Sequence, residues 1–542
     1  MRCSHRTIVP CVAAAFAAAI AKPSDAQRVV DATSRAQPVG LVVLIAVDQL
    51  RGDYLDRFRP QLTHGFARLR EAGVFFPNGI QDHALTETAP GHSTMLSGRV
   101  PANTRIWSNS GGVEDPSAPL LDGLALENPS TVRGASPRRF AGTTLVDWLR
   151  GRGPGVRALG VSRKDRAAIL PIGRSQSPTT QAVWYVDGRF TTSTYYADSL
   201  PAWIGAWNAK FDLARVAGQT WRLALPDSAY NEPDDAAWEN GGRDRVFPHE
   251  PPAQLKGLAS RLEHIPWMDS VTLDIALAGV RARGLGHRTD AHAPDVLTVS
   301  LSTTDAIGHD FGPDSRELHD HLVRLDRWLG AFLDSLATIV PAQRTLFALT
   351  ADHGVSPMPE RLAHEGARGS RINVATMAKK LASDLHTRWS LDFGIEFDNG
   401  LLTANVDAMA ARGIHVDSLA RSFAAATEKL QGVKRVYTRQ SLAAAPATDQ
   451  DAARWRRSLP RDLGWLIAGV AEAGFVFSDG VRAEHGTMNP ESRSVPIMFV
   501  VPGVAGRTDT RVARTIDIAP TIAEILGIRP TEAIDGRSLG IR

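Results

Sequence analysis

Leu41-Val-Val-Leu-Ile-Ala-Val47, followed at once by Asp48, is the stretch on which the fold turns. A strand with one wet face alternates apolar and polar residues. An unbroken apolar run of strand length belongs to a parallel strand buried on both faces. Three later runs read the same way: Val296-Leu-Thr-Val-Ser-Leu301, Leu346-Phe-Ala-Leu-Thr350 and Val495-Pro-Ile-Met-Phe-Val-Val501. Pro496 has no N–H to give a ladder, which places the last run at an edge or a strand start. Between the runs, helical periodicity covers Gln61–Ala72, Thr144–Arg150, Met268–Ala282, Asp314–Ile339 and Ala519–Leu526. Strands alternating with helices predict an α/β protein with a doubly wound, mostly parallel central sheet flanked by helices.

Two stretches break the rhythm. Residues of about 175–265 are rich in Trp, Tyr, Asp and Pro, and residues of about 365–480 carry their own helices and a hairpin-like Leu391–Val406. Both read as inserted, cap-like segments on a single catalytic domain spanning 41–542.

At the amino end, Arg2, His5 and Arg6 precede an Ala-rich apolar stretch from Ile8 to Ala21, and Ser24-Asp25-Ala26 offers a small-x-small cleavage site. Residues 1–26 are therefore expected to be a signal peptide and 27–40 a linker, with the mature chain periplasmic or secreted. The apolar stretch is too short for a membrane anchor. Cys11 follows Pro10, a poor fit to a lipidation site. Cys3 and Cys11 are the chain's two cysteines, so the mature protein is expected to have no disulfide and no thiolate metal ligand.

The whole chain has 542 residues, 43% hydrophobic and 22% charged, with a formal net charge of +3. So small a charge, with no basic run, gives no argument for a nucleic-acid or membrane partner. Oligomeric state is left open, with a monomer favoured.

The chemistry-bearing residues follow the strands. Asp48 follows the first run, Asp305 the second, and Asp352-His353 the third. Ligands of open α/β sheets bind outside the carboxyl ends of the strands. Asp305 and His309 lie four apart, so both project from one side of a turn, and His485 adds another imidazole. Mixed carboxylates and imidazoles suit two ions such as zinc, each left with open positions. Two such ions can stabilise the attacking and the leaving oxygen of an in-line displacement.

In Thr86-Glu-Thr88-Ala-Pro-Gly-His92, Pro90 marks the first turn of a helix. Thr88 then lies at a helix N-terminus, where free N–H groups and the helix dipole favour an anionic phosphate. A metal contacting that hydroxyl would make it a nucleophile; the plainer reading is an N-cap.

In order and local sequence, Asp48, Thr88, Asp305/His309, Asp352/His353 and His485 resemble the alkaline phosphatase superfamily. The resemblance is nearest to the branch that holds the phosphodiesterase/nucleotide pyrophosphatases and the phosphate-irrepressible, PafA-like alkaline phosphatases. It runs from about Leu41 to the C-terminus, including Thr515-Ile-Asp-Ile-Ala-Pro-Thr521 and Asp535-Gly-Arg-Ser-Leu539. It implies that Asp305, His309 and His485 hold one Zn2+ and that Asp48, Thr88, Asp352 and His353 hold the other.

The branch contains both monoesterases and diesterases. A monoester's dianionic phosphoryl group needs donors beyond the metals. Lys164 and Arg166, in Gly160-Val-Ser-Arg-Lys-Asp-Arg166, resemble the phosphate-contacting pair of the PafA-like monoesterases. Asn109, 21 positions after Thr88, resembles their phosphoryl-oxygen donor. Which of Arg163, Lys164 and Arg166 points inward is settled on the family's Lys-x-Arg form. Trp184-Tyr-Val-Asp187 resembles the same group, with local packing as the simpler reading. The expectation is an alkaline phosphatase that hydrolyses small-molecule phosphate monoesters through a phospho-Thr88 intermediate. The alternatives are a phosphodiesterase/nucleotide pyrophosphatase on the same scaffold and, more distantly, a non-catalytic metal- or phosphate-binding protein. A sulfatase is disfavoured by threonine at the nucleophile position.

Overall fold

The computed structural model describes residues 38–121, 134–252, 254, 257–288 and 293–542. The signal peptide and most of the linker expected from the sequence lie outside the described residues.

Ten strands form the main sheet: β1 (Leu41–Val47), β2 (Val74–Ile80), β3 (Ala158–Ser162), β4 (Thr180–Val186), β5 (Arg189–Thr191), β6 (Asp295–Leu301), β7 (Thr345–Thr350), β8 (Ser494–Val500), β9 (Arg507–Thr508) and β10 (Ala513–Arg514). Their order is β9-β2-β8-β7-β1-β6-β3-β4-β5, with β10 also on β2. From β7 to β4 all neighbours are parallel, while β8 runs antiparallel to both β7 and β2. The sheet is thus mostly parallel, as the apolar runs predict. Pro496 sits near the start of β8, where the pairing with β2 slips between Val495 and Ile497. That irregularity lets an internal strand accept a residue without an N–H.

β1 is buried along its whole length, and its alternate residues feed two cores. Val43, Ile45 and Val47 face the helices Gly65–Ala72, Trp267–Arg283 and Arg316–Ala337. Val42, Leu44 and Ala46 face Thr88–Met95, Leu145–Arg150 and Ile518–Ile525. Helix Arg316–Ala337 shows why such helices form. Ser315 caps it, accepting from the Leu318 N–H, and Leu318, Leu322, Leu325, Leu329 and Leu336 line one buried stripe. Each buried leucine contributes about 1.5–3 kcal/mol, so one polar substitution in the stripe would be costly.

Within the stretch read as a first insertion, residues 180–191 extend the main sheet as β4 and β5. The later stretch contains a separate four-stranded antiparallel sheet, Glu396–Asp398, Leu401–Thr403, Trp465–Ala471 and Val433–Tyr437 in spatial order. It has its own core around Phe393, Leu402, Phe423, Leu466 and Phe475. Among the described residues, no helix is long and apolar enough to cross a membrane.

Candidate active site

Parallel strands bring their carboxyl ends to one rim, and the site stands there. Asp48 leaves β1, Lys164 follows β3, the helix Thr303–Phe311 carrying Asp305 and His309 follows β6, and Asp352-His353 follow β7. Thr88 is the first residue of helix Thr88–Met95, which is buried throughout. Gly91 on this helix presses on the main chain of Asp352, where a Cβ would collide with the Asp352 carbonyl oxygen.

Two groups of potential metal ligands result: Asp305, His309 and His485, and Asp48, Asp305 and His353, with the ligand atoms of each group within 4.8 Å of one another. Asp305 belongs to both. His309 Nε2 lies 3.3 Å from Asp305 Oδ1 and 3.1 Å from His485 Nε2. His353 Nε2 lies 3.5 Å from both Asp48 Oδ1 and Asp352 Oδ2. Asp352 is drawn partly aside, with its Oδ2 3.2 Å from His92 Nδ1 and its Oδ1 accepting from the Gln49 N–H at 3.1 Å.

The donor set fits metal. Nδ1 of His309, His485 and His353 meets the backbone carbonyls of Ala483, Thr86 and Gly354 at 2.6, 2.9 and 2.9 Å. A ring that donates Nδ1–H to a carbonyl keeps its Nε2 lone pair for a metal. Asp48 Oδ1 and His353 Nε2 have no hydrogen-bond partner among the described residues, and a buried polar atom left so is costly unless something binds it. Burial, and then the charges of Asp305 and Asp352, push the Asp48 carboxyl above its ordinary value. Burial opposes the charge on Asp305 too, yet Lys164 and His309 hold its carboxyl well below the usual range. Burial, aided by His485, holds His353 well below the ordinary imidazole value, so it is neutral, as a ligand must be. Burial opposes the charged form of His485 as well, but the Asp305 carboxylate, 3.5 Å from its Nε2, raises it.

Lys164 is the cation inside this cluster. Its Nζ lies 2.5 Å from Asp48 Oδ2 and 2.6 Å from Asp305 Oδ2, and donates to Thr88 Oγ1 at 3.2 Å. Thr88 does not cap its helix; Glu87 holds that position. Glu87 accepts from the Asn109 N–H at 2.8 Å and from Asn399 Nδ2 at 3.0 Å, and Asn109 Oδ1 takes the Ala89 N–H at 2.9 Å. Asn109 is thereby fixed one residue from the threonine. Arg166 stands further out, 3.7 Å from Asp165, and Arg163 pairs with Glu263 at 2.8 Å. Both arginines line a cavity of about 610 Å³ beside Lys164, walled also by Arg139, Trp184 and Tyr185. Of the three basic residues in that loop, Lys164 is the one that enters the carboxylate cluster.

Two residues with no assigned part in the sequence reading belong to the site. His92, one turn beyond Thr88, meets Thr88 O and Ser300 Oγ at 2.9 Å each, besides Asp352. Gln49 donates to Asp305 as well as to Asp352, with Nε2 to Oδ1 at 2.8 Å. The spacing Thr88-x-x-x-His92 was a usable signal for the first; the second had none.

Against known proteins, residues 42–486 match the family model described as type I phosphodiesterase / nucleotide pyrophosphatase, and the chain belongs to that family. It is 29% identical over 517 residues to a protein of Myroides odoratus named calcium-transporting ATPase, covering 92% of this chain and 93% of that one. It is also 29% identical over 535 residues to alkaline phosphatase PafA of Elizabethkingia meningoseptica, covering 91% and 93%. The crystal structure of wild-type PafA superimposes with a TM-score of 0.82 at 26% identity, over 93% of this chain and 98% of that one. The protein is therefore a hydrolase of the alkaline phosphatase superfamily, with residue clusters able to bind metal.

Proposed function

We propose that this protein is a periplasmic or secreted alkaline phosphatase that hydrolyses small-molecule phosphate monoesters to inorganic phosphate through a covalent phospho-Thr88 intermediate. Asp305, His309 and His485 would hold one zinc, and Asp48, Thr88, Asp352 and His353 the other. Bound there, the ions would supply Lewis acidity and charge stabilisation.

The observation that carries the monoesterase reading is the Lys164 ammonium, 3.2 Å from Thr88 Oγ1. A monoester brings one more negative charge than a diester, and a buried cation beside the nucleophile offsets it. Thr88 Oγ1, its proton lost to solvent, attacks phosphorus from the start of its helix, where the dipole favours the incoming anion. The P–O bond to the ester's organic group breaks as it does so, and the departing oxygen takes a proton from solvent. Water then cleaves the phospho-Thr88 bond, releasing inorganic phosphate and restoring the hydroxyl. Lys164 and Arg166 orient the non-bridging oxygens. Asn109 secures the Ala89 N–H through its Oδ1, and its amide N–H groups would donate to a phosphoryl oxygen. The cavity beyond Lys164 and Arg166 takes the ester's organic group.

The experiment is a comparison of p-nitrophenyl phosphate with bis(p-nitrophenyl) phosphate on protein of measured metal content. A strong preference for the monoester is expected. Preference for the bis-ester would favour the phosphodiesterase reading, which the family model's own description supports. Inertness toward both, with metal bound, would leave a binding protein.

A further inference from the structure

Gln49 lies between Asp48 and the rest of the rim and has a backbone that its side chain alone does not explain. Its φ is +66°, in the left-handed region that disfavours residues with a Cβ. Its side chain is fully buried. Held this way, its main-chain N–H reaches Asp352 Oδ1 at 3.1 Å while its side-chain Nε2 reaches Asp305 Oδ1 at 2.8 Å. The Asp305 and Asp352 carboxylates are 256 and 303 positions away in sequence and arrive from opposite sides of β1, just after β6 and just after β7. The remaining amide oxygen, Oε1, has no hydrogen-bond partner among the described residues. It rests against Gly308, where a Cβ would collide with it. Gly308 lies on the helix that carries Asp305 and His309, so the amide is wedged from one side and bonded on the other.

Strain of this kind persists where the surroundings enforce it, and it collects at functional sites. We infer that Gln49 is a positioning residue that fixes the spacing between the two metal sites, tying Asp305 of one to Asp352 of the other through a single residue. The inference rests on the two-ion reading above. It differs from a packing role in one respect. A packing residue replaced by glycine relieves the left-handed φ but empties buried volume, so its loss falls on the thermal midpoint and leaves ion affinity alone. A positioning residue replaced by glycine frees the strain and loses the tie.

The test uses Gln49→Gly and the volume-preserving Gln49→Met, with three readouts. Zn2+ is titrated into metal-free full-length protein against a chromophoric chelator, the thermal midpoint of the metal-free protein is recorded, and kcat and KM are measured on p-nitrophenyl phosphate. For Gln49→Gly we expect at least one Zn2+ bound tenfold or more weakly, and kcat reduced tenfold or more with KM within threefold, whichever way the midpoint moves. Gln49→Met should show the same loss of ion affinity with a lower midpoint. Ion affinities within twofold of wild type in both variants would overturn the assignment, as would losses confined to the midpoint. Wild type binding fewer than two ions would overturn it too, but through the two-ion reading, and that result shows in the wild-type titration alone.

Discussion

Replacing Lys164 and Arg166 by alanine should remove the preference for monoesters. Lys164 is the stronger of the two: its side chain is 7% exposed, and its ammonium touches the Thr88 hydroxyl. A positioned donor in such a site is worth about 3 kcal/mol in the transition state. Arg166, 27% exposed and 3.7 Å from Asp165, is screened by solvent, and a charged hydrogen bond there adds about 1.5 kcal/mol. Together they amount to about 4–5 kcal/mol, or roughly a 10³-fold loss in kcat/KM for p-nitrophenyl phosphate. Both residues address one phosphoryl group, so coupling between them can move the double variant's loss from this sum by about 0.5–3 kcal/mol. The bis-ester has less charge to offset and should lose about tenfold or less. A second consequence runs the other way. The Lys164 ammonium lies against Asp48 and Asp305, which are proposed ligands of both ions, so Lys164→Ala should bind Zn2+ no more weakly than wild type. The assay is kcat/KM for both esters on zinc-saturated variants, with Zn2+ affinity by chelator competition. Equal losses on the two esters, or a loss of zinc in Lys164→Ala, would refute the reasoning, because the pair would then be supporting the metals or the fold.

Thr88→Ala should abolish turnover of p-nitrophenyl phosphate while metal analysis still finds both ions, since six other ligands remain; Thr88→Ser should retain partial activity. EDTA should abolish activity and lower the thermal midpoint, and added zinc should restore both, because ions that bind only the folded state stabilise it by mass action. Asp269 gives a prediction in pH. Burial first pushes its carboxyl up to about 7 from 3.8, although it accepts from the Thr303 N–H and hydroxyl. The unfolded chain loses this proton first, so the native state is penalised increasingly as pH rises from about 4 to 7, and fully above that. Asp269→Asn in metal-free protein should therefore gain stability relative to wild type across that window, by an amount on the order of 4 kcal/mol at most. Urea unfolding at pH 5 and pH 8 reads it, and a pH-independent difference would show that Asp269 is charged throughout.

The doubly wound sheet was legible because its middle strands are unusually apolar. Every residue of β1, β6 and β7 is buried, so their sequences are continuous runs with helices between. β2 and β3 were not legible. Pro77 and Gly79 interrupt the first, and the second has only five residues, with Gly160 pressed against the Ala168 carbonyl. Both spoil an apolar pattern for reasons of close approach that only the folded chain displays. The strand-end acids and their histidines could be picked out because position after a strand carries meaning. Gln49 could not, since an amide has no metal-ligand signature and its partners lie hundreds of residues away. The sequence also assigned Asp352 to a ligand set without showing that His92 and Gln49 would each hold one of its oxygens.

The three imidazoles proposed as metal ligands, His309, His353 and His485, each rest their Nδ1 on a main-chain carbonyl and not on another side chain. A carbonyl belongs to every residue type. The instruction that turns His309 and His485 toward the centre is therefore stored in the path of the backbone at Ala483 and Thr86, and not in the identity of the residues there. Position 483 is limited to small residues by its burial against Val355 and Met358, yet what the ring asks of it is a carbonyl. Stretches around the site are then free to drift or to be exchanged for other sequences. A designer rebuilding the loop ahead of His485 for a new substrate would need to keep the Ala483 carbonyl on His309 and the main-chain bonds of Ala483 and Glu484 to His309 and Ser356.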